Sequence, residues 1–214
     1  MWRRWVRAIA ILGGTVLAHE LAHAVAAWRV GGRVREIAIG FGPRLLARRV
    51  RETTVSLRPL LVGGFAAIDV EALSLERRVP VLLAGPLANV LLGLWLLPRD
   101  PALRAVAVAV TGHGPAPSRV QISGVVGAMA MLLRAAHPLA LRHLAGQINL
   151  SVGLANLLPL LPLDGGHLAL AKMEAKGVPA AGRNFYRYAS ALVFLWFLLQ
   201  VLAGDLRRLR PLAR

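Results

Sequence analysis

His19, Glu20 and His23 form an H-E-x-x-H pattern inside the stretch GTVLAHELAHAVAAW, residues 14–28. On a helix, side chains at i and i+4 share a face, so both imidazoles can reach one metal ion. Glu20 lies about 100° round from His19, near enough to hold a water beside the metal but poorly placed to be a ligand. A zinc ion held there would lower the pKa of water toward about 7, and Glu20 would take its proton as the oxygen attacks a carbonyl. The pattern fixes only three positions, and a histidine pair on a helix face is more often structural than catalytic. Here the pattern sits in an apolar run, where an unpaired glutamate is costly and ionisable groups tend to be functional. Metal binding is the expectation.

The rest of the composition supports a membrane setting. Of 214 residues, 57% are hydrophobic and 17% charged, and the mean hydropathy is +0.59. Soluble domains carry about 25% charged residues. The net charge of +16, from 26 Lys and Arg against 10 Asp and Glu, raises nucleic acid as a partner. The basic residues lie mostly between apolar runs, however, as expected at lipid headgroups, so no nucleic-acid partner is expected. With no cysteine, thiolate metal sites are excluded and any ion must be held by His, Asp or Glu. The start MWRRWVRAIAILGGTVLA resembles a cleavable signal peptide, but the apolar run continues past the histidines to Val30, so an uncleaved first span is expected.

A span needs about 20 apolar residues, and four windows qualify: 5–28, 79–97, 144–163 and 185–203. The first and third carry polar groups, His19, Glu20 and His23 in one and Gln147, Asn149, Ser151 and Asn156 in the other. Lipid offers them no partners, so these two spans should face each other at the heart of a bundle. Slightly more than half of the Lys and Arg fall in 29–78 and 164–187, which weakly favours placing both loops in the cytoplasm.

Residues 33–68 read differently. Period-two patterning around Gly40, Gly42 and Pro43 predicts a small membrane-associated β-hairpin or sheet; an arginine-rich loop is the alternative. Residues 98–120 read as an extramembrane connection, 121–137 as a short amphipathic or partly buried helix, and 164–184 as a polar turn. The fold class expected is an α-helical polytopic membrane protein of about four transmembrane helices with this β element after the first, residues 1–214 forming one domain.

A catalytic zinc usually has three protein ligands and an open position. Candidates for the third are His113, His137, His143, His167, Asp164, Glu36, Glu52 and Glu71. Asp164 stands out at the end of the third window, in NLLPLLPLDGGHLAL. Pro159 and Pro162 break the helix there, and a broken helix within a membrane is tolerated only where protein or a cavity covers its freed carbonyls. Gly165 and Gly166 let the chain turn closely beside a bound ion. An aspartate merely capping the next helix is the alternative.

HELAH at 19–23, GPLAN at 85–89 and NLLPLLPLDGG at 156–166, with IGFGP at 39–43 and LVGGF at 61–65, together resemble the site-2 protease family of intramembrane zinc metalloproteases. The likeness runs in order over nearly the whole chain, and the bacterial members that release sigma factors are the most similar in pattern. The resemblance implies Zn2+ held by His19, His23 and Asp164, Glu20 as general base, and Asn156 and Asn89 positioning substrate or an oxyanion. Interhelical hydrogen bonding is the plainer role for either asparagine. It further implies a single-span membrane protein as substrate, such as an anti-sigma-factor-like protein, cut within the bilayer of a prokaryotic plasma membrane. The 33–68 element would hold an unwound substrate segment by strand addition, with Gly63 and Gly64 allowing close backbone approach. Many relatives carry a PDZ domain between the second and third spans; 98–138 is too short for one, so a minimal form is expected.

Two rival classes stay open. One is a zinc membrane peptidase that takes Glu36, Glu52 or Glu71 as third ligand and cuts exposed loops. The other is a non-enzymatic metal-binding or transport protein, for which Glu20 beside the histidines has no purpose.

Overall fold

The computed structural model describes residues 2–97, 99, 124–135 and 137–209. Helix α1, Trp2–Arg29, buries Ala8, Thr15, His19, His23, Ala24 and Ala27. Thr15, His19, His23 and Ala27 recur every fourth residue, one line along the helix. The inward face is therefore narrow and polar at its middle, while Val6, Ile9, Leu21 and Val25 face outward.

The element after α1 is a sheet of four strands: β1 Val34–Phe41, β2 Leu46–Val50, β3 Thr53–Leu57 and β4 Leu60–Ile68. The spatial order is β2-β3-β1-β4. The strands β2 and β3 form a hairpin through a turn at Arg51, which has positive φ. That hairpin folds back so that β3 runs parallel to β1, while β4 pairs with β1 in antiparallel register, Ile37 opposite Ala66. Gly40 makes the close approach possible, since a Cβ there would lie 3.0 Å from the Leu60 carbonyl oxygen.

A 3-10 turn at Val70–Ala72 leads into α2, Leu75–Leu96. After it come α3, Val125–Arg134; α4, Pro138–Asn156; α5, Asp164–Ala175; and α6, Ala180–Leu209. The helices α2 and α4 pack backbone to backbone through small residues, as membrane helices do. A Cβ on Gly93 would lie 2.7 Å from the Leu150 nitrogen, and one on Gly153 2.7 Å from the Pro86 oxygen. Two apolar clusters flank the middle of α1. One joins Ala8 to Leu132, Ala140 and Leu144; the other joins Ala24 and Ala27 to Val34, Ile37 and Val81.

Among the described residues, three helices are long and apolar enough to cross a membrane: α1, α2 and Ala180–Arg207 of α6. The expected third span over 144–163 is not among them: α4 has 19 residues, length enough, but carries Arg142, His143, Gln147 and Asn149. Pro159 and Pro162 lack the N–H that a continuous helix needs, so helix ends at Asn156 and resumes at Asp164. The expected polar turn over 164–184 is corrected, being α5 followed by the start of α6. Two glycines at its start hid the helix from propensity reasoning. They fit because Cβ atoms at Gly165 and Gly166 would strike the backbone of 157–161. The short helix expected within 121–137 is α3, while the 98–120 connection, with His113, lies outside the described residues apart from Arg99.

Candidate metal centre

The two histidines of α1 point their Nε2 atoms together, 3.1 Å apart, with ring planes at 81°. Asp164 arrives from another element. Its Oδ2 lies 3.1 Å from His19 Nε2 and its Oδ1 3.4 Å from His23 Nε2. It is delivered by the first turn of α5, not by the end of the third window as expected. Leu163 is the extended residue before the helix, and its carbonyl accepts from Gly166 and His167. A carboxylate in a first turn also suits the positive end of the helix dipole. Tyr186 of α6 ties this turn down, its hydroxyl 2.9 Å from the Pro159 carbonyl oxygen and 3.3 Å from that of Gly166.

These distances test the fit for a metal. Ligand atoms about 2.0 Å from a tetrahedral zinc sit about 3.3 Å from one another, the spacing seen here. Asp164 Oδ2 is buried and, despite its nearness to His19, makes no hydrogen bond. Among the described residues, His19, His23 and Asp164 are the group of His, Asp and Glu whose ligand atoms converge closely enough to hold an ion, all within 4.8 Å. Nitrogen and oxygen donors of this kind suit zinc.

Helix α2 supports the histidine pair from behind. His23 donates from Nδ1 to the Val81 carbonyl at 2.7 Å, and the Asn89 Nδ2 lies 3.3 Å from His19 Nδ1. Between them, Gly85 leaves room for both rings: a Cβ there would stand 2.8 Å from His19 Cε1 and closer still to His23. Val81, Gly85 and Asn89 are spaced four apart and form one stripe of α2. Glu20 is outside the converging group. It is half-buried, and its carboxylate approaches the backbone amide of Ala66 on β4.

The remaining candidates lie elsewhere. Glu36 is occupied by Arg44, Arg58 and Ser56, while Glu52 and Glu71 are exposed. His137 caps α4, accepting from Leu139 N–H. His143 is buried on α4, and His167 is exposed on α5; neither joins the converging group. Asn156 donates to the Val152 carbonyl of its own helix at 3.0 Å. The space beside Gly63 is taken by the Phe41 ring, and that beside Gly64 by Ala38 and Val16. Sequence reasoning assigned no role to Gly85, Thr15 or Tyr186, and listed Asn149 only as a polar residue. Regular spacing from Asn89 offered a signal for Gly85 alone.

The model of peptidase family M50 matches residues 7–99 and 101–199. The chain belongs to this family. Among similar proteins, a provisionally named zinc metalloprotease of Clostridium acetobutylicum is 34% identical over 131 residues, 56% of this chain and 39% of that protein. The zinc metalloprotease RasP of Geobacillus kaustophilus is 42% identical over 72 residues, 32% of this chain and 17% of that protein. The regulator of sigma-W protease RasP of Bacillus subtilis is 47% identical over 57 residues, 27% of this chain and 14% of that protein. The matches thus span well under half the length of these curated relatives. Zinc, the metal in two of these names, is the ion that the donor set suits, and the three apolar helices agree with an integral membrane protein.

Proposed function

We propose that this chain is a zinc-dependent endopeptidase that cuts a transmembrane segment of another protein inside the bilayer. The observation that carries the reading is the convergence of His19, His23 and Asp164 within 4.8 Å, the two histidines standing on a helix long and apolar enough to span a membrane. In this reading the two histidines and Asp164 hold the ion, residues 1–214 act as one protease domain, and the membrane is a prokaryotic plasma membrane. The bound ion supplies Lewis acidity that polarises the scissile carbonyl and acidifies water.

The protein's own residues supply the rest. Glu20 takes a proton from water as its oxygen adds to the carbonyl carbon. It returns that proton to the departing amine nitrogen as the C–N bond breaks. A helical peptide bond is shielded by its own hydrogen bonds, so the substrate must first unwind. The strand β4 lies at a sheet edge and approaches Glu20 through Ala66. An unwound segment added to that edge would be held extended beside the base. Gly63 and Gly64 then keep β4 close to its neighbours, and Asn156 is the group proposed to steady substrate or oxyanion, with Asn89, wholly buried, serving that end only through His19. The Bacillus subtilis relative is named a regulator of sigma-W protease, which makes a single-span anti-sigma-factor-like protein the substrate class to try first.

The test is cleavage of a single-span substrate co-reconstituted in vesicles. Glu20→Gln should retain zinc and lose cleavage by about 10²–10⁴-fold. Persistent cleavage in that variant would remove Glu20 as the base, and cleavage confined to exposed loops would remove the intramembrane reading.

A further inference from the structure

Besides Asp164 Oδ2, two buried amide oxygens on the helices packed against α1 make no hydrogen bond: Asn89 Oδ1 and Asn149 Oδ1. Asn89 is wholly buried on α2 and Asn149 nearly so on α4. Buried amides are ordinarily satisfied, and each exception calls for an explanation. Both protons of Asn149 Nδ2 are used, one on Thr15 Oγ1 at 3.0 Å and one on the Ala145 carbonyl at 2.8 Å. Thr15 donates in turn to the Ile11 carbonyl at 3.0 Å.

The two asparagines sit at one level of the α2–α4 crossing. Gly93 packs on Gly146 and Leu150, and Gly153 packs on Pro86 and Val90. Asn89 lies midway between Pro86 and Gly93, and Asn149 midway between Gly146 and Gly153. Both reach α1 on successive turns, at His19 and Thr15.

A histidine that binds an ion through its Nε2 lone pair carries its proton on Nδ1, and that N–H needs an acceptor. His23 has one in the Val81 carbonyl. Among the described residues, His19 Nδ1 faces the Asn89 amide, through Nδ2 at 3.3 Å. The two ends of an amide have nearly the same shape. A half-turn of Asn89 puts Oδ1 where it can accept from His19 Nδ1–H. The same half-turn frees Nδ2 as a donor, and Asn149 Oδ1 on the neighbouring helix is the orphaned acceptor that the relay inferred below assigns to it.

We infer that Asn149 and Asn89 form an amide relay across three helices that holds His19 in its Nδ1-protonated tautomer, with the Nε2 lone pair facing the ion. Donation runs from His19 to Asn89, from Asn89 to Asn149, from Asn149 to Thr15 and from Thr15 to Ile11. Both asparagines are positioning residues, and Asn149 acts at a distance from any ligand. The inference rests on the proposed zinc reading of His19.

Zinc affinity of the full chain in detergent, measured by chelator competition, tests it. Asn89→Leu keeps the volume and removes the acceptor; the expected loss is about 10–100-fold. Asn89→Asp can accept from His19 but cannot donate, and should stay within about threefold of the parent protein. Asn149→Leu should weaken zinc by about 3–10-fold in the parent protein. In the Asn89→Asp background it should add no loss, because a carboxylate presents an acceptor either way round. A loss in Asn89→Asp as large as in Asn89→Leu would show Asn89 to be a donor and overturn the relay. Unchanged affinity in Asn149→Leu would overturn it too, and that variant decides alone if the buried carboxylate of Asn89→Asp prevents folding. His19→Ala separates the two levels: parent-like zinc affinity there overturns the ligand reading together with the relay, whereas failure of the asparagine variants alone leaves His19 as a ligand.

Discussion

Asp164 and Glu36 are both carboxylates largely withdrawn from water, and their surroundings solve that cost differently. Glu36 on β1 accepts from Arg44 Nε and Nη2 at 3.1 and 2.6 Å, from Arg58 at 2.9 Å and from the Ser56 hydroxyl at 2.6 Å. Arg58 is itself stacked 5.0 Å from the centre of the Phe65 ring. The carboxylate is thus enclosed by fixed positive charge and donors, and Arg44 above all holds its pKa down to about 2. Around Asp164 stand two imidazole nitrogens at 3.1 and 3.4 Å, and one of its oxygens is left without a hydrogen bond. A saturated buried carboxylate is a fastening of the fold. One flanked by imidazole nitrogens at tetrahedral spacing fits the ligand role proposed for Asp164.

The sharpest way to break this contrast is Asp164→Ala. It should lower zinc affinity by at least about 100-fold and abolish cleavage, and it should make the thermal midpoint insensitive to chelator, because an ion that binds only the folded state stabilises it in proportion to affinity. A chelator-induced shift in the variant as large as in the parent protein would move the metal away from Asp164. Next in size is Gly85→Ala. Its methyl would press on both imidazoles, so zinc affinity should fall by about 10–100-fold with helix content unchanged by circular dichroism.

Glu36 should answer to pH and not to metal. Its folded pKa of about 2 lies below the ordinary value of 4.5. The ionised group therefore contributes its full stability above pH 4.5, and that contribution is lost as pH falls from there through about 2. Glu36→Gln should cost about 2–3 kcal/mol near neutrality and flatten the acid limb of the stability curve, followed by denaturant unfolding from pH 7 to 3. An unaltered acid limb would remove Glu36 as its source. The smallest effect belongs to Ser56→Ala, which deletes one hydrogen bond to Glu36 for about 1 kcal/mol and should leave zinc affinity unchanged.

The chemistry-bearing residues were legible because membrane burial makes polar residues conspicuous. His19, Glu20 and His23 stand out in an apolar run, and Asp164 stands out after two prolines. The same prolines were misjudged in their reach. They predict a break, but not that the chain restarts as a helix at Asp164. The sheet was legible as an element but not in its order, since the parallel pairing of β1 with β3 depends on where the β2–β3 hairpin docks. Gly63 and Gly64 read as positions of close backbone approach, and only packing shows that Phe41, Ala38 and Val16 fill the side-chain space beside them.

What the sequence by itself determined is the kind of chemistry and its medium. Periodicity places His19 and His23 on one face, hydropathy places that face in an apolar helix, and the absence of cysteine restricts the donors to imidazole and carboxylate. Only the tertiary structure brought Asp164 to 3.1 and 3.4 Å from the two imidazoles and set what stands behind them. Glu36 and Asp164 are equally acidic as letters, but one meets guanidinium groups and the other meets two imidazoles. Gly85, Asn89 and Asn149 are small or polar residues of two different helices until packing brings them against His19 and Thr15. Local periodicity governs direction within one helix, whereas a metal site needs directions from several elements to meet within a few ångströms. That meeting is a property of the packing.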